Sequence, residues 1–382
     1  LSGMISVRHN GESLPETIGR YLGLTTKQIM RGFTVILMIL VGAVFVAGPA
    51  ELLAMLTPKH LDTTFWIYVI FIYYIVATLF PIDKIIGRIY PFFAATLLFM
   101  AVGILCVLLI KFPGIPEITD GLQNMHPNAA TSPIFPMLFI SIACGAISGF
   151  HATQSPMMAR CMTNEAQGRK VFYGSMICEG VVGLVWVTLG LSFYDSAQAL
   201  FGPGPNAVPA AVIVKNISVS LLGTFGGILA ILGVVALPVS TGDTAFRSCR
   251  MMLADAFHLD QGPIKNRILL ALPVFVIGIA LTFVDFGVIW RYFGWINQTI
   301  ACVCLWACSV YLARRKRFYW ITVAPAMFMT VVCTAFICQA KIGLNLPIDV
   351  STWIGVGLAV IFLLLFLWRG HTMPDDEVER NA

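Results

Sequence analysis

Ser148-Gly149-Phe150-His151-Ala152-Thr153-Gln154-Ser155-Pro156 decides the fold, because it sets polar groups in the middle of a segment otherwise written for lipid. Residues 132–149 before it and 156–162 after it are mostly apolar, and together about thirty residues suffice to cross a ~30 Å hydrocarbon core. A helix can be interrupted at that depth only where protein or a water-filled cavity receives the freed backbone groups. The stretch therefore marks a cavity, with a broken helix expected at 148–155. Ser155 is the expected N-cap of a second half-helix and Pro156 its first residue, since proline has no N–H to satisfy there. The unbonded N–H groups of that half-helix would then face the gap and attract a carboxylate.

The rest of the chain agrees with a membrane setting. Of 382 residues, 58% are hydrophobic and 11% charged, against about a quarter charged in soluble domains. The fold class is an all-α polytopic membrane protein with the lipid bilayer as its partner. Apolar runs recur at Phe33–Gly48, Thr64–Phe80, Ile89–Ile110, the broken Ser132–Met162, Val171–Phe193, Ser218–Val239, Ile268–Phe286, Trp295–Leu312, Tyr319–Cys338 and Thr352–Trp368. Threading the chain through these ten spans distributes the 24 Lys and Arg as 19 on one side and 5 on the other. That bias makes the richer side, including the start of the chain, cytoplasmic. The basic residues lie in short loops with no element that could read bases, so nucleic acid is excluded as a partner.

Residues 1–370 read as a single transmembrane domain and 371–382 as a polar cytoplasmic tail. Phe112–Thr131 is expected to form an external cap, and residues 202–217 an external loop leading into an interfacial helix. The chain opens on Leu1 with no signal-peptide pattern, and an N-terminal segment is expected to be missing. The ten cysteines form no CxxC pair. Cys304 and Cys308 share a helical face without His or carboxylate neighbours, which reads as packing; no metal site is expected.

Several residues carry candidate chemistry. Ser148, Gly149, His151, Thr153, Gln154 and Ser155 are candidate substrate contacts. His151 is the one histidine inside a span, and imidazole changes charge near neutral pH, so proton coupling is a second role for it. A histidine bridging two helices is the plainer alternative. Glu179, about eight residues into the next span, is a candidate proton carrier. Ser240, Thr241 and Asp243 follow Pro238 at a span end and, if the helix is unwound there, could coordinate a small cation or relay a proton; a helix-end cap is the alternative. Glu165 and Arg169 lie in the short loop Asn164–Arg169 and could gate the inner half-helix through an ion pair. Asn297 and Gln298 read as amide bonds across helices.

Ser148–Cys161, continued by Asn164-Glu165, Gly168-Arg169, Val171-Phe172-Tyr173-Gly174 and Glu179-Gly180, resembles the most distinctive block of the carbon starvation protein A (CstA) family of bacterial membrane transporters. Further blocks are similar: Arg8-His9-Asn10-Gly11-Glu12-Ser13-Leu14-Pro15, Thr241-Gly242-Asp243-Thr244 with Arg247, and Phe293-Gly294 with Asn297-Gln298. The resemblance, to the family's shorter branch, implies a bacterial cell (inner) membrane and uptake of peptides or pyruvate in the carbon-starvation response, coupled to protons, on a five-plus-five inverted-repeat fold; the residues themselves leave H⁺ and Na⁺ both open as the coupling ion. It also implies further membrane helices ahead of Leu1, one of them broken. No organic cofactor is expected. A membrane nutrient sensor binding the same ligands without moving them is the alternative function. An enzyme is not expected: Ser155, His151 and Glu179 suggest a hydrolase set only superficially, and neither a G-x-S-x-G elbow nor an H-E-x-x-H motif occurs.

Overall fold

A computed structural model describes residues 1–79, 86–111, 114–115, 124, 126, 129, 132–194, 196, 199–200 and 210–370. The expected tail 371–382 lies outside the described residues, as do most of the expected external cap and the front of the expected external loop. Among the described residues there is no strand. The described residues form thirteen α-helices: α1 Ser2–Arg8, α2 Leu14–Leu22, α3 Leu24–Leu56, α4 Thr63–Leu79, α5 Ile86–Lys111, α6 Phe139–Ala146, α7 Gly149–Cys161, α8 Ser175–Ser192, α9 Ala210–Phe257, α10 Ile264–Leu281, α11 Phe286–Arg314, α12 Trp320–Gln339 and α13 Ile348–Arg369. Nine helical segments among the described residues are long and apolar enough to cross a membrane, counting α6–α7 as one, and Thr63–Ala77 is a shorter apolar helix. The chain is a multi-pass helical membrane protein.

The helices fall into two compact units. The first comprises Leu1–Met38, Pro133–Cys178 and Gly287–Ala382; the second comprises Ile39–Ser132 and Glu179–Phe286. At the start of the first unit, the charged leader forms two short helices. Buried Leu14, Ile18 and Tyr21 recur on one stripe of α2. Its Glu16 pairs with Lys27 and with Arg31 at 2.8 Å, and Glu12 with Arg20. Within the same unit α11 is the most buried span, and Gly355 of α13 lies against the Val331 backbone of α12. Cys302, Cys304 and Cys308 are buried there, as expected of packing residues.

In the second unit, α9 runs for 48 residues, about 70 Å at 1.5 Å per residue, far more than a bilayer core needs. It bends at Gly223, whose φ of 69° is open to glycine at no steric cost. The expected interfacial helix is its first part, and Ser240, Thr241 and Asp243 lie inside it. The unwound end expected around Asp243 does not occur.

Lipid offers helices no hydrophobic reward for associating, so close packing must hold them together. In this unit four rings do so: Phe246 sits 4.9 Å from Phe275, 5.6 Å from Tyr74 and 6.0 Å from Phe71 between centroids. Glycines make the room. A Cβ at Gly42 or Gly278 would run into the Phe246 ring, and one at Gly242 into the Tyr74 hydroxyl. Truncating Phe246→Ala should therefore cost about 3–5 kcal/mol and filling the gap with Gly278→Val about 1–3 kcal/mol. Unfolding in detergent should show the larger loss for Phe246→Ala.

Candidate substrate site at a broken membrane helix

The expected break is present, and it falls at the front edge of the polar stretch. Ile147 (φ −143°, ψ 110°) and Ser148 (φ −119°, ψ 126°) are extended between α6 and α7. Ser148, not Ser155, is the N-cap: its Oγ accepts from the His151 N–H at 3.4 Å. Ser155 and Pro156 lie within α7, which corrects the expected half-helix start. Pro156 removes the N–H that would bond the Ala152 carbonyl four residues back, and the Ser155 hydroxyl donates to that same carbonyl at 2.9 Å. A proline inside a lipid-embedded helix is tolerated when a neighbouring hydroxyl re-satisfies the freed oxygen.

The backbone groups released at the break are taken up by α11. Asn297 Oδ1 accepts from the Phe150 N–H at 2.6 Å and from Ser148 Oγ at 3.3 Å, while its Nδ2 donates to Cys144 Sγ at 3.3 Å. Gln298, with its carboxamide turned so that the NH₂ faces the chain break, donates to the Ile147 carbonyl and accepts from the Cys144 N–H, each at 2.8 Å. Both side chains are 0% exposed. The amide bonds read from the sequence thus have a specific object, the interruption itself. Gly149 lets the two backbones meet, since a Cβ there would strike the Asn297 carbonyl and the Ile300 side chain. The Phe150 amide, at the start of α7, is bonded to protein.

The remaining candidates on α7 are placed as follows. Thr153 is buried, donates to the Phe150 carbonyl at 2.6 Å and lies near Met38 Sδ of α3; Gln154 donates to the same sulfur at 3.5 Å. His151 is half-buried with its ring beside Phe150. At the other end of α7, Arg160 donates to the Gly11 carbonyl at 2.9 Å and packs on Gly11, whose φ of 76° follows a left-handed Asn10.

A cavity of ≈ 890 Å³ opens beside the end of α6, with Gly145 and Ala146 in its wall together with Glu165, Arg169, Phe172 and Tyr173. The expected ion pair of the loop exists, but its partner lies on α1: Arg8 meets Glu165 Oε1 at 2.8 Å and donates to the Tyr311 hydroxyl at 2.7 Å. These contacts, the Glu165 bond foremost, hold the Arg8 guanidinium above its ordinary pKa. A raised basic group contributes below its unfolded value and loses that contribution above it, so the Arg8 side of this clamp is unchanged across all physiological pH. Arg169 is exposed at the same cavity and has no ion pair among the described residues.

Glu179, Ser240, Thr241 and Asp243 belong to the second unit. Glu179 was expected inside the protein, yet it is exposed. The buried stripe of α8 is Val185 and Leu189 against α5 and α9, and Glu179, six and ten residues earlier, falls off that stripe. Ser240 and Thr241 both donate to the Leu237 carbonyl, at 2.8 and 2.9 Å. Asp243 is 1% exposed; its Oδ2 accepts from Arg247 at 2.8 Å and its Oδ1 is buried without a hydrogen-bond partner among the described residues.

The bundle has a transporter fold. It superposes on a manganese transporter of Eremococcus coleocola with a TM-score of 0.55 at 13% identity, over 96% of this chain and 84% of that one. The chain belongs to the Carbon starvation protein CstA family, whose profile matches residues 50–201 and 197–336. An uncharacterised membrane protein of Haemophilus influenzae is 40% identical over 268 residues, 56% of this chain and 72% of that one. The peptide transporter CstA of Escherichia coli is 25% identical over 327 residues, 65% of this chain and 46% of that one. The pyruvate/proton symporter BtsT of the same bacterium is 38% identical over 77 residues, 20% of this chain and 10% of that one. The chain thus spans about half the length of the CstA protein of Escherichia coli.

Sequence reasoning missed Arg8, Tyr311 and Met38 as parts of this neighbourhood. Arg8 and Glu165 are 157 residues apart, and no local pattern pairs them. Replacing Asn297 by Leu strands the Phe150 amide in a dry site and should lower stability by about 1–3 kcal/mol. Asn297→Gln, able to keep one bond, should lose less in the same detergent unfolding measurement.

Proposed function

We propose that this chain is the working part of a secondary active transporter that takes up small carboxylate-bearing nutrients, short peptides or pyruvate, in the carbon-starvation response of the bacterial inner membrane. The observation that carries this reading is the conjunction of a broken membrane helix with a ≈ 890 Å³ cavity. Two charged side chains line that cavity: Glu165 is neutralised by Arg8, and Arg169 is left to meet an anion. A guanidinium fork matches a carboxylate in charge and shape. The substrate carboxylate enters at Arg169 and the body of the substrate lies toward Gly145 and Ala146, with Ser148, Gly149, His151, Thr153, Gln154 and Ser155 as the α7 side of the path. The Arg8–Glu165 pair closes the loop side as a gate. As an exposed pair it is worth at most about 1 kcal/mol, which suits a contact that must open in each cycle.

Coupling is to H⁺, with Na⁺ as the competing ion, and no organic cofactor takes part. His151 and Glu179 are proton-linked groups in this scheme. Asp243 is the buried carboxylate of the second unit, with Ser240 and Thr241 one turn before it, and protonation would release it from Arg247. The names of the relatives support peptide or pyruvate as cargo, and the positive-inside bias supports a cytoplasmic start of the chain.

In proteoliposomes, labelled pyruvate and dipeptides should exchange across the membrane, and the one that does identifies the cargo. Arg169→Gln should raise KM about tenfold with kcat nearly kept, as the loss of about 1.4 kcal/mol of substrate binding requires. His151→Gln should abolish the pH dependence of uptake; unchanged uptake at every pH would remove His151 from the mechanism. Saturable binding without any exchange would instead support a nutrient sensor.

A further inference from the structure

The second unit contains a concentration of positive charge of which the transport scheme uses only the Asp243–Arg247 contact. Near the end of α9, Arg250 is 7% exposed, and Arg267, Arg247 and Asp243 are close enough to act on its charge. Gln261, in the loop between α9 and α10, orients two of these arginines: its Oε1 accepts from Arg250 Nη1 at 2.9 Å, and its backbone carbonyl accepts from Arg267 Nε at 2.6 Å. The loop is itself ordered by side chains, with Asp260 Oδ1 accepting from the Gly262 N–H at 3.0 Å and Asn266 donating to the Asp260 carbonyl at 2.8 Å. The guanidiniums are therefore aimed, not splayed into solvent.

Among the described residues charge does not balance here. Arg247 and Arg250 face one buried carboxylate, Asp243, whose Oδ2 is already taken by Arg247, and Arg267 adds a third positive charge acting on Arg250. Asp260 is exposed and engaged in its own turn, and Asp255 lies on an exposed part of α9. The Nε atoms of Arg247 and Arg250 are both buried with no hydrogen-bond partner among the described residues. A buried guanidinium without a counter-charge is costly, and such groups persist where an anion completes them. Beside the cluster, Ile264, Ile268 and Leu269 of α10 are exposed large apolar residues flanking Arg267, the surface that acyl chains cover.

We infer that Arg247, Arg250 and Arg267 form a binding site for a phosphate-bearing anion at this end of the second unit. The fork of donors on each guanidinium matches tetrahedral phosphate oxygens bidentately, and Gln261 presets two of the three forks. The phosphate can come from an anionic phospholipid headgroup or from a free phosphate in the aqueous phase. The charge bias along the chain assigns this end to the cytoplasmic surface, where anionic headgroups lie.

Thermal unfolding of the purified protein in detergent separates these sources. One arm adds phosphatidylglycerol, with an uncharged diacylglycerol as control; the other adds inorganic phosphate, with chloride at equal ionic strength. Saturating phosphatidylglycerol should raise the midpoint by about 5 °C, the shift that a hundredfold excess over Kd produces in a chain of this kind. A response to phosphatidylglycerol alone identifies a lipid site, and a response to inorganic phosphate identifies a soluble ligand; either supports the assignment. Arg267→Gln, at a partly exposed position, should remove most of the shift. Arg250→Gln should abolish it while leaving the ligand-free midpoint unchanged or higher, because it removes one of the like charges crowded around a single buried carboxylate. The proposal is overturned if neither phosphate source moves the midpoint, or if Arg267→Gln and Arg250→Gln respond as the parent protein does.

Discussion

Two neighbouring carboxamides on α11 hold the structure's central irregularity in place. A helix broken inside a bilayer exposes N–H and C=O groups that lipid cannot satisfy, each at a cost of several kcal/mol. Asn297 takes the Phe150 amide and Gln298 takes the Ile147 carbonyl, one group from each half of the broken helix. The two halves are thereby pinned to the most buried span of their unit while remaining separate rods. Gly149 is part of the same device, since the backbones meet only if position 149 lacks a side chain. The ≈ 890 Å³ cavity lies beside the end of α6, with Gly145 and Ala146 in its wall.

The charges are handled by a different rule in each unit. In the first, Arg8 joins α1 to the loop after α7 through Glu165 at the surface, where water keeps the energy of the pair small, and to the buried Tyr311 of α11. In the second, Asp243, Arg247 and Arg250 are withdrawn from water, so each missing partner matters more. A weak exposed pair suits a gate. A buried cluster with surplus positive charge suits retention of an anion.

Much of this could be read from the residues. Apolar run length and scarcity of charge located the helices, and the polar run at Ser148–Ser155 located the break to within one residue of its front edge. The error at Ser155 has a clear cause. Ser-Pro is a good helix start in isolation, but the same hydroxyl can instead repair the carbonyl that proline strands, and which use prevails depends on whether α11 supplies partners at Ile147 and Phe150. Glu179 was misjudged because its exposure depends on which stripe of α8 meets α5 and α9. Ser240 and Thr241 were read as lying beside an unwound helix end or a cap, whereas their hydroxyls bond back to Leu237 in the helical stretch after the Gly223 bend.

The sequence by itself determined that this is a multi-pass helical membrane protein with an interrupted span, because hydropathy and the demands of a backbone in lipid act locally along the chain. Tertiary structure alone decided what fills the interruption and which charges meet. Asn297 lies 147 residues from Phe150, and Arg8 lies 157 from Glu165. Such pairings come from how helices pack, and packing is governed by small residues such as Gly149, Gly242 and Gly278, whose meaning appears only when the opposing surface is present.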